Sequence, residues 1–241
     1  MANNAANTLL IVGSPELITS LKAAIDTDAQ KIDFSAIMPV PAELKNTSAP
    51  VEIVEDPAEA ARINLEWNAR LGTGPDTKVR AVTREQAARL MRQYGAVDWQ
   101  QWTQTNWNAT RLNGDVTVYR ATSTAIMCSF DTAWSAPTTL LDHLHHSRGA
   151  QIIGATVTDG DDEIELHLLL DPLEGVSTER SLYLDELVFD HFFTIHSQVE
   201  DAGTETEYRY SWVQYNGDIT ELLARPKLTL DSLRELRNNL P

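Results

Sequence analysis

Asp142, His143 and His146 carry metal-binding side chains at spacings of one, three and four residues. On a helix, side chains three and four apart lie on one face, so imidazole and carboxylate donors would point the same way. The chemistry would be metal-assisted hydrolysis, in which a bound ion makes a water acidic enough to attack at neutral pH. Such a site needs three or four ligands. His167, His191 and His196 have no diagnostic spacing from this run, so solvated helix histidines are the plainer expectation. A second candidate chemistry is purely electrostatic. Asp159, Asp161, Asp162, Glu163, Glu165, Asp185, Glu186 and Asp190 lie in a part of the chain, 159–207, with fifteen acidic residues and one basic residue. Carboxylates spaced along strands can stand in for phosphates before a basic partner.

The whole chain has 241 residues and a net charge of -16 with a pI near 4.6. Residues 62–111 run the other way, with eight basic residues against four acidic. A field of one sign repels nucleic acid and anionic membranes and attracts basic proteins. A basic protein is therefore the expected partner, and nucleic acid and membrane are disfavoured. A surface that merely confers solubility is the plainer alternative. Arg84, Arg89 and Arg92, with Arg62, Arg70 and Arg111, form the one basic region. It could touch phosphate against the long-range repulsion of the whole chain, or equally face acidic strands of this chain or of a second copy.

Nucleophile motifs are absent: no Gly-x-Ser-x-Gly, phosphate loop or dinucleotide fingerprint occurs. The single cysteine, Cys128, lies in an apolar run, where a thiol is inert. It allows no intramolecular disulfide and suits a reducing, cytoplasmic setting. The first residues lack the charged and apolar regions of a signal peptide, and no apolar run is long enough to span a bilayer. No cofactor is expected.

The elements that must position these groups follow from periodicity and caps. Thr8–Val12 reads as a buried strand. Ser14 and Pro15 open a helix with Leu17, Ile18, Leu21 and Ile25 on one face. Ile32–Ile37 reads as extended, and a short helix begins at Ala42. Residues 46–56 are polar and loop-like. Pro57 opens a helix whose apolar stripe is Ala58, Ala61, Leu65 and Leu71, ended by Gly72. Thr83 and Gln86 have the spacing of a capping box for a helix that stops at Gly95. Trp99, Trp102 and Asn106 lie at helical spacing and are expected to share a face that meets Trp134. Asn113-Gly114 signals a hairpin between strands. Val116–Ala121 and Thr124–Thr132 read as strands, Ser135 as the cap of a helix with Pro137 in its first turn, and Gln151–Val157 as a strand. Residues 159–162 read as a turn, and Glu163–Leu168 alternates as a half-buried strand does. Phe189–Ile195 and Tyr208–Tyr215 read as strands, with a short helix after Thr229 or Asp231. The fold class is α+β: a split β-α-β core over 8–157, with inserted helices at about 42–95. An acidic, antiparallel β-rich part follows over 158–241, packed on the same sheet or as a subdomain.

Three ordered blocks carry a family resemblance: Ile37-Met38-Pro39-Val40-Pro41-Ala42-Glu43-Leu44, Trp99-Gln100-Gln101-Trp102 with Asn106-Trp107, and Phe130-Asp131-Thr132-Ala133-Trp134-Ser135-Ala136-Pro137. Together they resemble the YubB ferredoxin-like domain family of phages and conjugative plasmids, over roughly Thr8 to Val157. Relatives tend to follow the Asn-Trp pair with Gly-Thr-Lys-Trp, where this chain has Asn108-Ala109-Thr110-Arg111. The resemblance implies a ferredoxin-like topology and an accessory role in a mobile element, with no enzymatic activity to carry over. One cysteine excludes a cysteine-ligated iron–sulfur cluster. Trp99, Trp102, Asn106, Trp107, Asp131, Trp134 and Pro137 are expected to act mainly as structure. The expected function is a non-enzymatic binding protein whose acidic surface, in the manner of a DNA mimic, engages a basic nucleic-acid-binding or defence protein in a host cytoplasm. A metal-assisted hydrolase and a self-assembling structural protein are the alternatives.

Overall fold

The computed structural model describes residues 4–26, 31–74, 77–109, 116–158, 164–169, 193–201 and 207–215. The chain divides into two units, Met1–Ile37 with Arg111–Pro241, and Met38–Thr110.

The first unit is built on an antiparallel sheet in the order β6-β7-β1-β8-β9. Its strands are β1 (Asn4–Val12), β6 (Thr117–Ala121), β7 (Ala125–Ala133), β8 (Gln151–Thr158) and β9 (Ile164–Leu169). β1 is central: Leu9 lies opposite Cys128 on one side and Gly154 on the other. Helix α1 (Pro15–Ala24) follows β1, and α6 (Thr138–Arg148) follows β7. The Ser14 side chain accepts the Leu17 N–H at 3.2 Å, and Pro15 occupies the first helical position. These features start α1 with two of its orphan donors accounted for. Leu17, Ile18 and Leu21 of α1 and Leu140, Leu141 and Leu144 of α6 are buried with Leu9, Ile11, Ile126 and Phe130 of the sheet. Phe34 meets Phe130 edge-on at 5.4 Å. The opposite face of the sheet is also buried, at Thr8, Leu10, Met127, Ile153 and Val157. Alternation therefore gives way to continuous apolar runs in the central strands, as in any sheet covered on both sides. A further antiparallel pair, β10 (Phe193–Asp201) and β11 (Glu207–Tyr215), forms its own two-stranded sheet. β11 approaches β1 and β8 without pairing to either.

Two expectations fail in this unit. Of the segment 32–37 only Ile32 is strand, at the end of β3 (Lys31–Ile32, paired with β2, Ile25–Asp26); Phe34–Ala36 is a 3-10 turn. Asp33 causes the turn by accepting the Ser35 N–H at 2.8 Å, a local bond that competes with an extended chain. Ser135 does not cap α6. Pro137 stands at the cap position without a side-chain bond, and the Ser135 carbonyl instead accepts the Thr132 hydroxyl at 2.7 Å. The Asn113-Gly114 hairpin, the turn at 159–162 and the final helix lie outside the described residues. Phe189–Phe192 lie there too, and the strand begins at Phe193.

The second unit contains α2 (Ala42–Lys45), β4 (Thr47–Val54), α3 (Pro57–Leu71), β5 (Val79–Thr83), α4 (Arg84–Tyr94) and α5 (Trp99–Trp107). Residues 47–54 are thus a strand rather than a loop, paired in parallel with β5. Tertiary partners explain why. Asn64 and Asn68 on α3 present their amides to β5: Asn64 accepts the Arg80 and Ala81 N–H groups at 2.7 Å each and donates to the Ala81 carbonyl at 2.9 Å. Asn68, fully buried, accepts from Lys78 N at 2.9 Å and donates to its carbonyl at 2.7 Å. The two side chains act as the missing neighbour strand. The same rotation turns the expected apolar stripe outward, leaving Leu65 57% and Leu71 48% exposed while Ala60 and Asn68 are buried. At α4 the capping box forms, with Thr83 and Gln86 each bonding the other's backbone N–H.

Candidate functional site

The strand-to-helix corner at the end of β7 is organised by a buried polar chain. The Asn7 amide, on β1, donates to the Ala5 carbonyl at 2.9 Å and to Phe130 O and Thr132 Oγ1 at 3.0 Å each. Its oxygen accepts the Thr156 hydroxyl at 2.8 Å. Because that hydroxyl has one proton, already directed at Asn7, the His167 Nε2 at 2.8 Å must donate to it. At the other end, the Thr132 hydroxyl donates to the Ser135 carbonyl. Donation therefore runs one way from His167 on β9 through Thr156 to Asn7, and again from Asn7 through Thr132 to the corner. All four side chains are buried. No sequence motif marks this chain, although Asn7 and Thr156 sit as polar residues in otherwise apolar strands.

Of the corner residues, Asp131 is half-buried, Ala133 and Ala136 are buried, and Pro137 starts α6. Trp134 is different. Its backbone adopts φ +76° and its side chain is 57% exposed.

In the Met38–Thr110 unit the tryptophans behave as core. Asp98 starts α5 by accepting the Gln101 N–H at 2.9 Å, and its second oxygen accepts Val51 N at 3.3 Å. Trp102 and Trp107 are buried and meet edge-to-face at 5.9 Å, and the Trp107 indole N–H donates to Met38 O at 3.2 Å. Trp99 and Asn106 are half-buried, the latter donating to Trp102 O at 2.9 Å. Trp102 finds its aromatic partner five residues along its own helix, and Trp134 belongs to the other unit. Just after Trp107, Asn108 is exposed at φ +58° as the helix cap and Ala109 is buried.

On α6, Asp142 and His146 are exposed and His143 is half-buried, while His145 is buried and bonded through Nδ1 to the Ala150 carbonyl at 2.7 Å. Among the described residues, no group of three or more His, Cys, Asp or Glu side chains could hold a metal ion. Cys128 faces the apolar interior, and burial pushes its thiol up to about 12.

Four arginines of the second unit, Arg62, Arg80, Arg84 and Arg89, are engaged locally. Arg89 pairs with Glu43 at 2.6 Å and Arg84 Nε donates to Glu55 at 2.6 Å. Arg62 pairs with Glu66 at 2.8 Å, and Arg80 stacks over Trp67 at 5.2 Å. The Arg89 bond holds the Glu43 carboxyl below its usual range, while desolvation and that carboxylate push the Tyr94 phenol up. This unit has nine acidic and eight basic residues, a net charge of -1. The Met1–Ile37 and Arg111–Pro241 unit therefore holds -15 of the total of -16.

Of the acidic set, Glu165 lies on β9 opposite Thr156 of β8. Asp159, Asp161, Asp162, Glu163, Asp185, Glu186 and Asp190 lie outside the described residues. No helix among the described residues is long and apolar enough to cross a membrane. Comparison of the chain with protein-family models, curated proteins and solved structures finds no match.

Proposed function

We propose that this protein is a non-enzymatic binding protein that captures a basic protein through the acidic part of its larger unit. The observation that carries this reading is the segregation of charge: -15 on one unit and -1 on the other. A merely solubilising charge has no reason to avoid one unit. The second unit pairs Arg62, Arg84 and Arg89 with its own carboxylates and is close to neutral, which leaves the first as the source of the long-range field. A basic nucleic-acid-binding or defence protein of a host cell, met in the cytoplasm, is the partner this field would select, with the carboxylates acting as a DNA mimic.

The family reading has support from topology. Strands β6-β7-β1-β8 are all antiparallel to their neighbours, with α1 after β1 and α6 after β7. That is the order expected of a ferredoxin-like split β-α-β core, with the acid-rich β part added beyond β8. With the three sequence blocks, it favours a YubB-like accessory protein of a phage or plasmid.

The test is affinity capture from host lysate at low and high salt, using wild type and a variant with Asp159, Asp161, Glu163 and Glu165 all changed to Lys. Basic proteins that elute with salt from wild type and are absent from the variant are the expected result. An unchanged set of captured proteins would sink the proposal.

A further inference from the structure

Trp134 combines properties that folding alone does not favour. A bulky residue at positive φ is a steric outlier, and here it also leaves most of its indole in water. Among the described residues it has no hydrogen-bond or ring partner. Such a conformation persists only where the surroundings over-determine it, and they do. Thr132, held by buried Asn7, ties down the Ser135 carbonyl; Thr138 N donates to Ala136 O at 2.9 Å; and Ala133 and Ala136 are buried on either side. The indole is thus presented on a rigid corner, with little ordering left to do on binding. Rigid tryptophans of this kind are over-represented among the residues that dominate interfaces.

We propose that Trp134 is the anchor against which a Lys- or Arg-rich segment of the partner stacks. The charge of the unit that bears it selects this occupant. A cation is drawn to a unit whose net charge is -15 and, at Trp134, is attracted by the face of an indole. The assignment rests on the acidic-capture reading above and adds to it the residue that fixes where the basic segment sits.

The test titrates a labelled peptide of alternating Lys and Gly into wild type, Trp134→Ala, Trp134→Phe and Trp134→Gly, at low and high salt. Trp134→Ala weakens binding roughly three- to thirtyfold with an unchanged salt dependence, and Trp134→Phe retains part of the affinity. Trp134→Gly relieves the backbone, so it melts no lower than wild type while binding as poorly as the alanine variant. Wild-type affinity in the alanine and glycine variants overturns the anchor and leaves acidic capture standing; no binding of the peptide to wild type overturns both. A Leu-Gly peptide bound as tightly as the Lys-Gly peptide overturns the basic occupant. So does a concentration-dependent dimer that Trp134→Ala abolishes, which would assign the indole to a second copy.

Discussion

Asn7 shows how one amide can set the geometry of a sheet. Buried among three strands, it shares its two amide protons among the Ala5 and Phe130 carbonyls and Thr132 Oγ1 and accepts the Thr156 hydroxyl. Replacing it with alanine leaves polar groups of Thr156 and Phe130 without these bonds in a dry interior. Urea denaturation of Asn7→Ala should show a loss of about 2–4 kcal/mol with an unchanged slope, as for other buried polar groups stranded by a substitution. Cys128 has a different consequence. Burial raises its thiol from 9.0 to about 12, so the neutral form is favoured in the folded state and the unfolded chain gives up the proton first. Its contribution to stability is therefore fully present below pH 9 and is lost as the pH rises toward 12. Thermal melts across that interval should fall more steeply in wild type than in Cys128→Ala. Iodoacetamide at mildly alkaline pH should label Cys128 only after denaturation, and rapid labelling of the native protein would contradict its placement. Gly154 is constrained by approach rather than by φ: a Cβ there would run into the Thr8 carbonyl and the Leu9 side chain of β1.

At the scale of elements, ends made by local chemistry are legible in the sequence. Ser14-Pro15, Pro57 and the Thr83/Gln86 pair each start a helix where expected, and Gly72 and Gly95, both at positive φ, stop two of them. Thr83→Ala should lower stability by about 1 kcal/mol in denaturant titration, the usual cost of a lost cap. What is not legible depends on partners distant in sequence. β4 contains Pro50 and reads as polar, and β5 is five residues long beside a helix cap. The hydrogen bonds of β5 and of Lys78 before it are completed by amides on α3 that, in sequence, interrupt an apolar stripe. Asn68→Leu, which keeps size and removes the bonds, should cost more than the exposed Leu65→Asn change on the same helix. Equal losses in paired melts would mean that the amides do not hold β5.

At the scale of the molecule, the charge was readable from residue counts, but its division was not, because the near-neutral unit is an internal segment with both flanks in the acidic one. The site was legible in part: the acidic residues and the Trp134 block stand out in sequence, whereas the exposure of that indole does not. The corner that bears it is held through Thr132 by Asn7, far away along the chain. Trp102 and Trp107 are core and Trp134 is not, although all three read alike in the tryptophan-rich blocks of the sequence. The central claim, capture by an acidic surface, is tested most directly by the affinity of the basic peptide for wild type and for the four-site Lys variant at Asp159, Asp161, Glu163 and Glu165, measured across salt concentrations. The account predicts tight binding to wild type that weakens steeply with salt, and weak, nearly salt-independent binding to the variant. Equal affinity and equal salt dependence for the two proteins would contradict it.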